Sequence, residues 1–182
     1  MNIVLISGST REGSVNSAVL RTIQQITASL IRAELYSGMS SLPHFNPDVE
    51  QHALPESVRE LRQMLHEAGA VLFCTPEYAG SLPGSFKNLL DWCVGEGLYD
   101  MPVGYINTSA HGGAKGAHDT LRTVLSYVNA DVIEGACRDI PVRRDAIDAS
   151  GYVADPQLRA AFREVALALA GYVERRSRTT MI

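Results

Sequence analysis

The sequence predicts an α/β fold: a doubly wound, mostly parallel sheet of five strands in the order 2-1-3-4-5, with helices on both faces. Short apolar segments typical of buried strands alternate with segments of helical periodicity. Loops rich in Gly, Ser and Pro follow the first, third and fourth strands. Because parallel neighbours need right-handed crossovers, these loops are expected to meet at one crevice, where open α/β sheets bind ligands.

The first half of the chain supplies three strands, expected at Asn2–Ser7, Ala33–Ser37 and Ala70–Thr75. A helix starting near Ser17, with Leu30 on its apolar face, follows the first strand. Pro55 is expected to open a second helix. The segment Gly38–Glu50 contains two prolines and is interpreted as an ordered loop.

The second half supplies two further strands, expected at Val103–Thr108 and Asp131–Ile140. Helices are expected around Phe86 to Cys93, Leu121 to Val128 and Leu158 to Leu169, where apolar residues recur at helical spacing. The segment Pro141–Asp155 is interpreted as a surface connection. The prediction is therefore five strands and five helices.

Composition fits a single domain over residues 1–182. The chain has 46% hydrophobic residues, 20% charged residues and a net charge of -4, which suits one full core. The negative balance offers no electrostatic footprint for nucleic acid or an anionic membrane. No segment reaches the roughly 20 apolar residues of a membrane helix, so neither partner is expected.

The amino terminus and the cysteines predict a cytoplasmic protein. Met1 and Asn2 lead into a strand without the basic region of a secretory signal. Cys74, Cys93 and Cys137 lack metal-like or CxxC spacing, which is typical of a reducing compartment. The histidines are scattered without ligand spacing, so no metal site is expected.

The loop after the first strand has the chemistry of a phosphate-binding site. Residues 7–17 hold five hydroxyls, one guanidinium, one amide and two glycines between a strand and a helix. Unpaired N–H groups and the positive end of the helix dipole stabilise a phosphate at such a point. The alternative is a serine-rich turn that only caps the helix.

Two common nucleotide motifs are absent from this loop. Ser14 and Val15 stand where a P-loop needs Lys and Ser or Thr, which disfavours a nucleotide triphosphatase. Gly8-Ser9-Thr10 breaks the G-x-G-x-x-G fingerprint of dinucleotide binding. A site for one terminal phosphate remains.

Three loops together resemble those of the NAD(P)H-dependent FMN reductase family, which has a flavodoxin-like fold. The resemblance spans Asn2 to about Val142. The middle motif is the most specific, a Pro-Glu-Tyr-x-Gly-Ser-x-Pro-Gly-x-x-Lys-Asn-x-x-Asp-Trp run. The three matching segments are Gly8 to Asn16, Pro76 to Trp92 and Ser109 to Gly113.

The resemblance implies FMN as cofactor and NADPH or NADH as co-substrate. It implies that the phosphate of FMN is held by the first loop, namely Ser9, Arg11, Ser14, Val15, Asn16 and Ser17. The ring would lie along Pro76, Glu77, Tyr78, Ala79 and Gly80, with N–H groups near O4 and N5. Its pyrimidine end would lie near Ser109, Ala110, His111, Gly112 and Gly113, whose N–H groups would stabilise charge at N1 and O2. Ala79 departs from the family, which commonly has Asn there.

Several single residues have both a functional and a structural interpretation. His111 is either a group that stabilises reduced flavin or a solvated loop histidine. Glu77 is either a general acid or part of a structural ion pair, and the ion pair is the favoured interpretation. Lys87, Asp91 and Trp92 are interpreted as structural residues that fix the middle loop to its helix, with substrate contact as the alternative. Cys74 is expected to be a buried small hydrophobe, and no obligatory catalytic side chain is expected.

The function implied is an oxidoreductase that moves hydride from the nicotinamide to FMN N5 and then, in a ping-pong cycle, to an acceptor. The acceptor would be a quinone, free flavin, azo compound or chromate-like oxyanion. The alternatives are a flavodoxin-like electron carrier without a nicotinamide site and a flavin-free phosphate-binding protein. The resemblance also implies a homodimer or homotetramer, with Arg122 and Tyr127 as candidate interface residues.

Overall fold

A parallel five-stranded sheet forms the centre of the protein. The computed structural model describes residues 1–110 and 112–180, apart from the side chains of residues 51, 52, 179 and 180. His111, a predicted site residue, lies outside the described residues. Neighbouring strands pair in parallel in the order β2-β1-β3-β4-β5, which confirms the predicted topology. The strands are β1 (Asn2–Ser7), β2 (Arg32–Tyr36), β3 (Ala70–Cys74), β4 (Pro102–Asn107) and β5 (Asp131–Asp139).

Helices connect these strands and cover both faces of the sheet. They are α1 (Val15–Thr27), α2 (Pro47–His52), α3 (Glu56–His66), α4 (Gly84–Trp92), α5 (Lys115–Tyr127) and α6 (Pro156–Thr180), with 3₁₀ turns at Met39–Ser41 and Arg144–Ala146. Within the described part of the chain, no helix combines the length and apolarity needed to cross a bilayer.

Alternate residues of each strand bury into two separate cores, as the period of a β-strand requires. Leu5 and Leu72 pack with Leu20 of α1 and Phe162 of α6 on one face. On the other face lies a second cluster formed with α3, α4 and α5, which includes Val4, Phe73, Phe86, Leu61 and Leu121. β3 is buried along its whole length, as a central parallel strand must be.

Three local predictions were wrong. α1 begins at Val15, not near Ser17, and it ends at Thr27, so Leu30 is 54% exposed and is not part of its apolar face. The segment interpreted as a loop contains the start of α2, where Asn46 accepts a hydrogen bond from the Asp48 N–H as an N-cap. Pro47 then occupies the first turn, where a helix tolerates proline.

Candidate functional site

The carboxyl ends of β1, β3 and β4 lie side by side. Ser7 pairs with Cys74, and Cys74 pairs with Ile106. The three loops that leave these strands therefore meet at one edge of the sheet. We call them the first loop (residues 8–14), the middle loop (residues 75–83) and the third loop (residues 108–114).

The first loop delivers the chain into the N-terminus of α1. Ser14 is the N-cap, and its side chain makes no capping hydrogen bond although the residue is only 5% exposed. Among the described residues, the N–H groups of Val15, Asn16 and Ser17 have no intramolecular acceptor. This end of α1 can therefore donate several hydrogen bonds to an anion.

The remaining polar groups of the first loop hold its shape. The Ser17 hydroxyl donates to Ser7 Oγ at 2.9 Å. The Ser9 N–H donates to Ser7 Oγ at 3.3 Å, and the Arg11 N–H donates to Ser9 Oγ at 3.3 Å. The Arg11 side chain is exposed beside this loop. The loop is thus pre-organised, while the amides of the helix end remain available.

Gly8 allows the first loop to approach the middle loop. The Gly8 N–H donates to the Cys74 carbonyl at 2.8 Å. A Cβ at position 8 would lie 2.2 Å from Thr75 Oγ1 and 3.0 Å from Phe86 Cδ1. No side chain fits there, so glycine is required for the two loops to lie together.

Asn16 fastens α1 to the ends of two strands. Its Oδ1 accepts hydrogen bonds from the Thr108 hydroxyl at 2.9 Å and from the Cys74 thiol at 3.1 Å. Burial raises the pKa of the Cys74 thiol, which keeps it a neutral donor. The Asn16 side-chain oxygen is therefore used within the fold, and Cys74 is buried as predicted.

The middle loop contains a tight turn. Tyr78 and Ser81 exchange N–H to carbonyl hydrogen bonds of 3.0 and 3.1 Å. Ala79 and Gly80 between them have φ values of 50° and 75°, as both central residues of a type I′ turn do. Tyr78 is 53% exposed. Over the described chain, the N–H groups of Glu77, Ala79 and Gly80 have no intramolecular acceptor.

Glu77 fastens the middle loop to α5. Its Oε2 accepts a hydrogen bond from the Ala117 N–H at 2.9 Å, in the first turn of a helix whose own N-cap, Ala114, has no capping side chain. A Cβ at Gly116 would lie 2.3 Å from the Gly80 carbonyl oxygen, so the two segments touch through backbone. Glu77 therefore caps a helix, where the sequence favoured an ion pair.

Asn107, which was missed from the sequence, holds the third loop. Its Oδ1 accepts from the Ser109 N–H at 3.1 Å, and its Nδ2 donates to the Gly113 carbonyl at 3.1 Å. The Gly113 N–H donates to Ser109 Oγ at 3.1 Å. Among the described residues, the N–H groups of Thr108, Ala110 and Ala114 in this loop have no intramolecular acceptor. An Asn at the end of a buried strand, before a Gly-rich loop, was the available signal.

Lys87, Asp91 and Trp92 of α4 make contacts outside the three loops. Lys87 and Asp91 pair within the helix at 2.6 Å. The Trp92 indole N–H donates to the Pro43 carbonyl at 2.8 Å, and the Phe45 ring stacks edge-on at 5.0 Å. These contacts are structural, but the prediction that they fix the middle loop was wrong: the ion pair lies within α4, and Trp92 fixes the segment before α2.

The chain is similar to known reductases. A profile of the NADPH-dependent FMN reductase family matches residues 1–138. The chain is 32% identical to a quinone reductase of Escherichia coli over 140 residues, 73% of each protein. It is 30% identical to an NAD(P)H-dependent FMN reductase of Pseudomonas aeruginosa over 179 residues, 96% of each.

A solved flavoenzyme structure has the same fold as this chain. FerB, a flavoenzyme NAD(P)H:(acceptor) oxidoreductase from Paracoccus denitrificans, superimposes with a TM-score of 0.82 at 27% identity, covering 96% of this chain and 97% of that one. The strand order, the three loops at one edge of the sheet and the family match agree. The chain belongs to the NADPH-dependent FMN reductase family, enzymes that use FMN and a nicotinamide dinucleotide.

Proposed function

We propose that this enzyme moves hydride from NADPH or NADH to FMN N5 and then reduces a small-molecule acceptor in a ping-pong cycle. The acceptor is a quinone, free flavin, an azo compound or a chromate-like oxyanion. The observation that carries the proposal is the N-terminus of α1, where the N–H groups of Val15, Asn16 and Ser17 are available beside two further loops. FMN supplies the hydride chemistry when bound, and the side chains supply placement and charge.

The first loop fits the phosphate end of FMN. Three N–H groups of α1, the hydroxyls of Ser9 and Ser14 and the guanidinium of Arg11 would surround a dianion. Asn16 would contribute its N–H, because its side-chain oxygen is bonded to Thr108 and Cys74. The three N–H groups have no acceptor within the described chain, so they are free to donate.

The other two loops would orient the ring. In this proposal the N–H groups of Glu77, Ala79 and Gly80 serve the ring edge, and Tyr78 lies beside it. The third loop would serve the pyrimidine end chiefly through the Ala110 N–H, because those of Ser109 and Gly113 are engaged within the loop. The expected flavin contacts of this loop are therefore narrower than the sequence implied.

The test is a rapid-mixing experiment on the FMN-loaded protein. Mixing with NADPH or NADH should bleach the flavin absorbance, and a quinone should then restore it. Steady-state rates at several acceptor concentrations should give parallel double-reciprocal lines. A protein that binds no FMN, or whose flavin is not bleached by either nicotinamide, would contradict the proposal; the latter result would indicate an electron carrier.

We propose that the enzyme works as a homodimer or homotetramer. Tyr127 at the end of α5 is 84% exposed, which suits an interface residue. Arg122 is engaged within the chain, with Glu134 at 2.6 Å and the Tyr105 hydroxyl at 2.5 Å. Light scattering should give a multiple of 19.7 kDa; a monomer mass would contradict this assembly.

We also propose a cytoplasmic location. Cys74, Cys93 and Cys137 are all unpaired, as in a reducing compartment. Fractionation of cells that express the chain should recover it with cytoplasmic markers, and recovery in the periplasm or medium would contradict the proposal.

A further inference from the structure

A cleft beside the third loop is not explained by the proposed flavin contacts. It lies between the N-terminal half of α5 and the end of β5, and Gly113 belongs both to its wall and to the third loop. Its volume is about 380 Å³, within the range of roughly 300–1,000 Å³ typical of small-molecule sites. Its lining includes Gly113, Lys115, His118, Asp119, Arg138 and Asp139.

His118, one of the residues that line the cleft, has a buried ring nitrogen without a hydrogen-bond partner in the described structure. His118 is 7% exposed, and its Nδ1 lies 2.8 Å from the Ala114 carbonyl. Because a carbonyl oxygen only accepts, Nδ1 carries a hydrogen, and the neutral ring has its lone pair on Nε2. Nε2 is buried without a hydrogen-bond partner anywhere in the described chain. A buried acceptor of this kind is costly unless a ligand donates to it.

The rim of the cleft carries charge. Lys115 and Arg138 are exposed, and in the described structure neither lies in an ion pair. Lys115 is also the first residue of α5, where the helix dipole favours an anion. Asp119 and Asp139 line the same cleft and can accept hydrogen bonds from hydroxyls. The cleft therefore suits a ligand that combines hydroxyl donors with an anionic group.

The ligand chemistry separates the dinucleotide from three of the four proposed acceptors. A quinone carbonyl, an azo group or a chromate oxygen presents acceptors, so none of these three satisfies Nε2, whereas free flavin carries ribityl hydroxyls that can donate as a ribose does. A ribose with an attached phosphate presents hydroxyl donors for Nε2 and phosphate oxygens for Lys115 and Arg138. The phosphate of FMN has its own donors at the N-terminus of α1.

We propose that this cleft binds a ribose-phosphate portion of the nicotinamide dinucleotide, with Nε2 of His118 accepting a hydrogen bond from a ribose hydroxyl and Lys115 and Arg138 facing a phosphate. The proposal rests on the proposed function, because it gives the same enzyme a binding site for its hydride donor. His118 would then be a dinucleotide-binding residue that lies outside the three segments matching the family.

Calorimetric titration of the FMN-loaded protein with NADP⁺ and NAD⁺ tests the proposal. His118→Asn keeps an amide where Nδ1 lies and removes the group at Nε2, whereas His118→Gln can present an amide oxygen near Nε2. We expect His118→Asn to weaken dinucleotide binding about tenfold, the scale of one hydrogen bond to a buried group, and His118→Gln to recover part of it. Arg138→Met should weaken it about threefold to tenfold.

The matched control is Arg32→Met. Arg32 is an exposed arginine on β2, the strand at the opposite edge of the sheet, and its substitution should leave dinucleotide binding unchanged. The KM for a quinone and the dissociation constant of FMN should not change in any of these variants.

Other results would overturn the proposal. Unchanged dinucleotide affinity in both His118→Asn and Arg138→Met would overturn it. A change confined to the quinone KM or to the affinity for FMN would also overturn it. If His118→Asn does not fold, the dinucleotide affinities of Arg138→Met and Arg32→Met are compared instead. Equal affinities in these two variants would overturn the proposal. Failure of the proposed function itself is distinguishable, because the wild-type protein would then neither bind NADP⁺ or NAD⁺ nor transfer hydride from NADPH or NADH.

Discussion

Replacing Glu77 tests how the middle loop is held. The Glu77 carboxylate accepts from the Ala117 N–H at 2.9 Å and takes the place of the capping side chain that Ala114 lacks. Losing such a cap costs about 1–2 kcal/mol, so Glu77→Ala should lower the melting temperature by about 2–8 °C for a chain of this size. Glu77→Gln keeps an acceptor oxygen and loses only the charge near the helix end, about 0.3–1 kcal/mol.

Thermal unfolding of the apoprotein followed by circular dichroism measures both variants. Glu164→Ala is the control, because Glu164 is an exposed carboxylate on α6 and should melt like the wild type. Turnover separates capping from general acid catalysis: Glu77→Gln should keep a kcat near that of the wild type. Equal melting of Glu77→Ala and the wild type would refute the capping role, and a large loss of kcat in Glu77→Gln would favour the general acid.

Further predictions concern the same edge of the sheet. Gly8→Ala should destabilise the protein by about 1–3 kcal/mol in urea unfolding, because its Cβ would lie 2.2 Å from Thr75 Oγ1; unchanged stability would contradict that contact. Ala79→Asn should stabilise it by about 0.5–1 kcal/mol, since Asn tolerates the φ of 50° better; a lower melting temperature would contradict the turn. Arg11→Ala should weaken FMN binding by about 1.5–3 kcal/mol in a fluorescence titration; an unaltered dissociation constant would count against its phosphate role. Burial raises the pKa of the Cys93 thiol to about 12, so it should react with a thiol reagent at pH 8 only after unfolding; rapid labelling of the native protein would disagree.

The sheet was predictable because its signals are local. Runs such as Ala70–Cys74 are apolar throughout, which only a central parallel strand requires. Alternation with helices then limits the topology to a few orders. α2 was missed because two prolines obscured it, yet Asn46 before Pro47 was a start signal that the pattern contained.

The hydrogen bonds that hold the site together were not predictable, because they join residues that are far apart in the sequence. Asn16 bonds to Cys74 and Thr108, which lie 58 and 92 positions away in the chain. Glu77 caps a helix that begins 38 residues later, at Lys115. His118 sits on α5 at a position with no motif, and its unpartnered Nε2 is visible only once the helix is packed against Tyr105.

In the proposed function, the N-terminus of α1 holds the phosphate of the cofactor. The most direct measurement compares the binding of FMN and of riboflavin to the apoprotein by flavin fluorescence. Since several charge-assisted hydrogen bonds of about 1.5–3 kcal/mol each would be lost with the phosphate, FMN should bind at least about a hundredfold more tightly. Equal affinity for the two flavins would contradict the account.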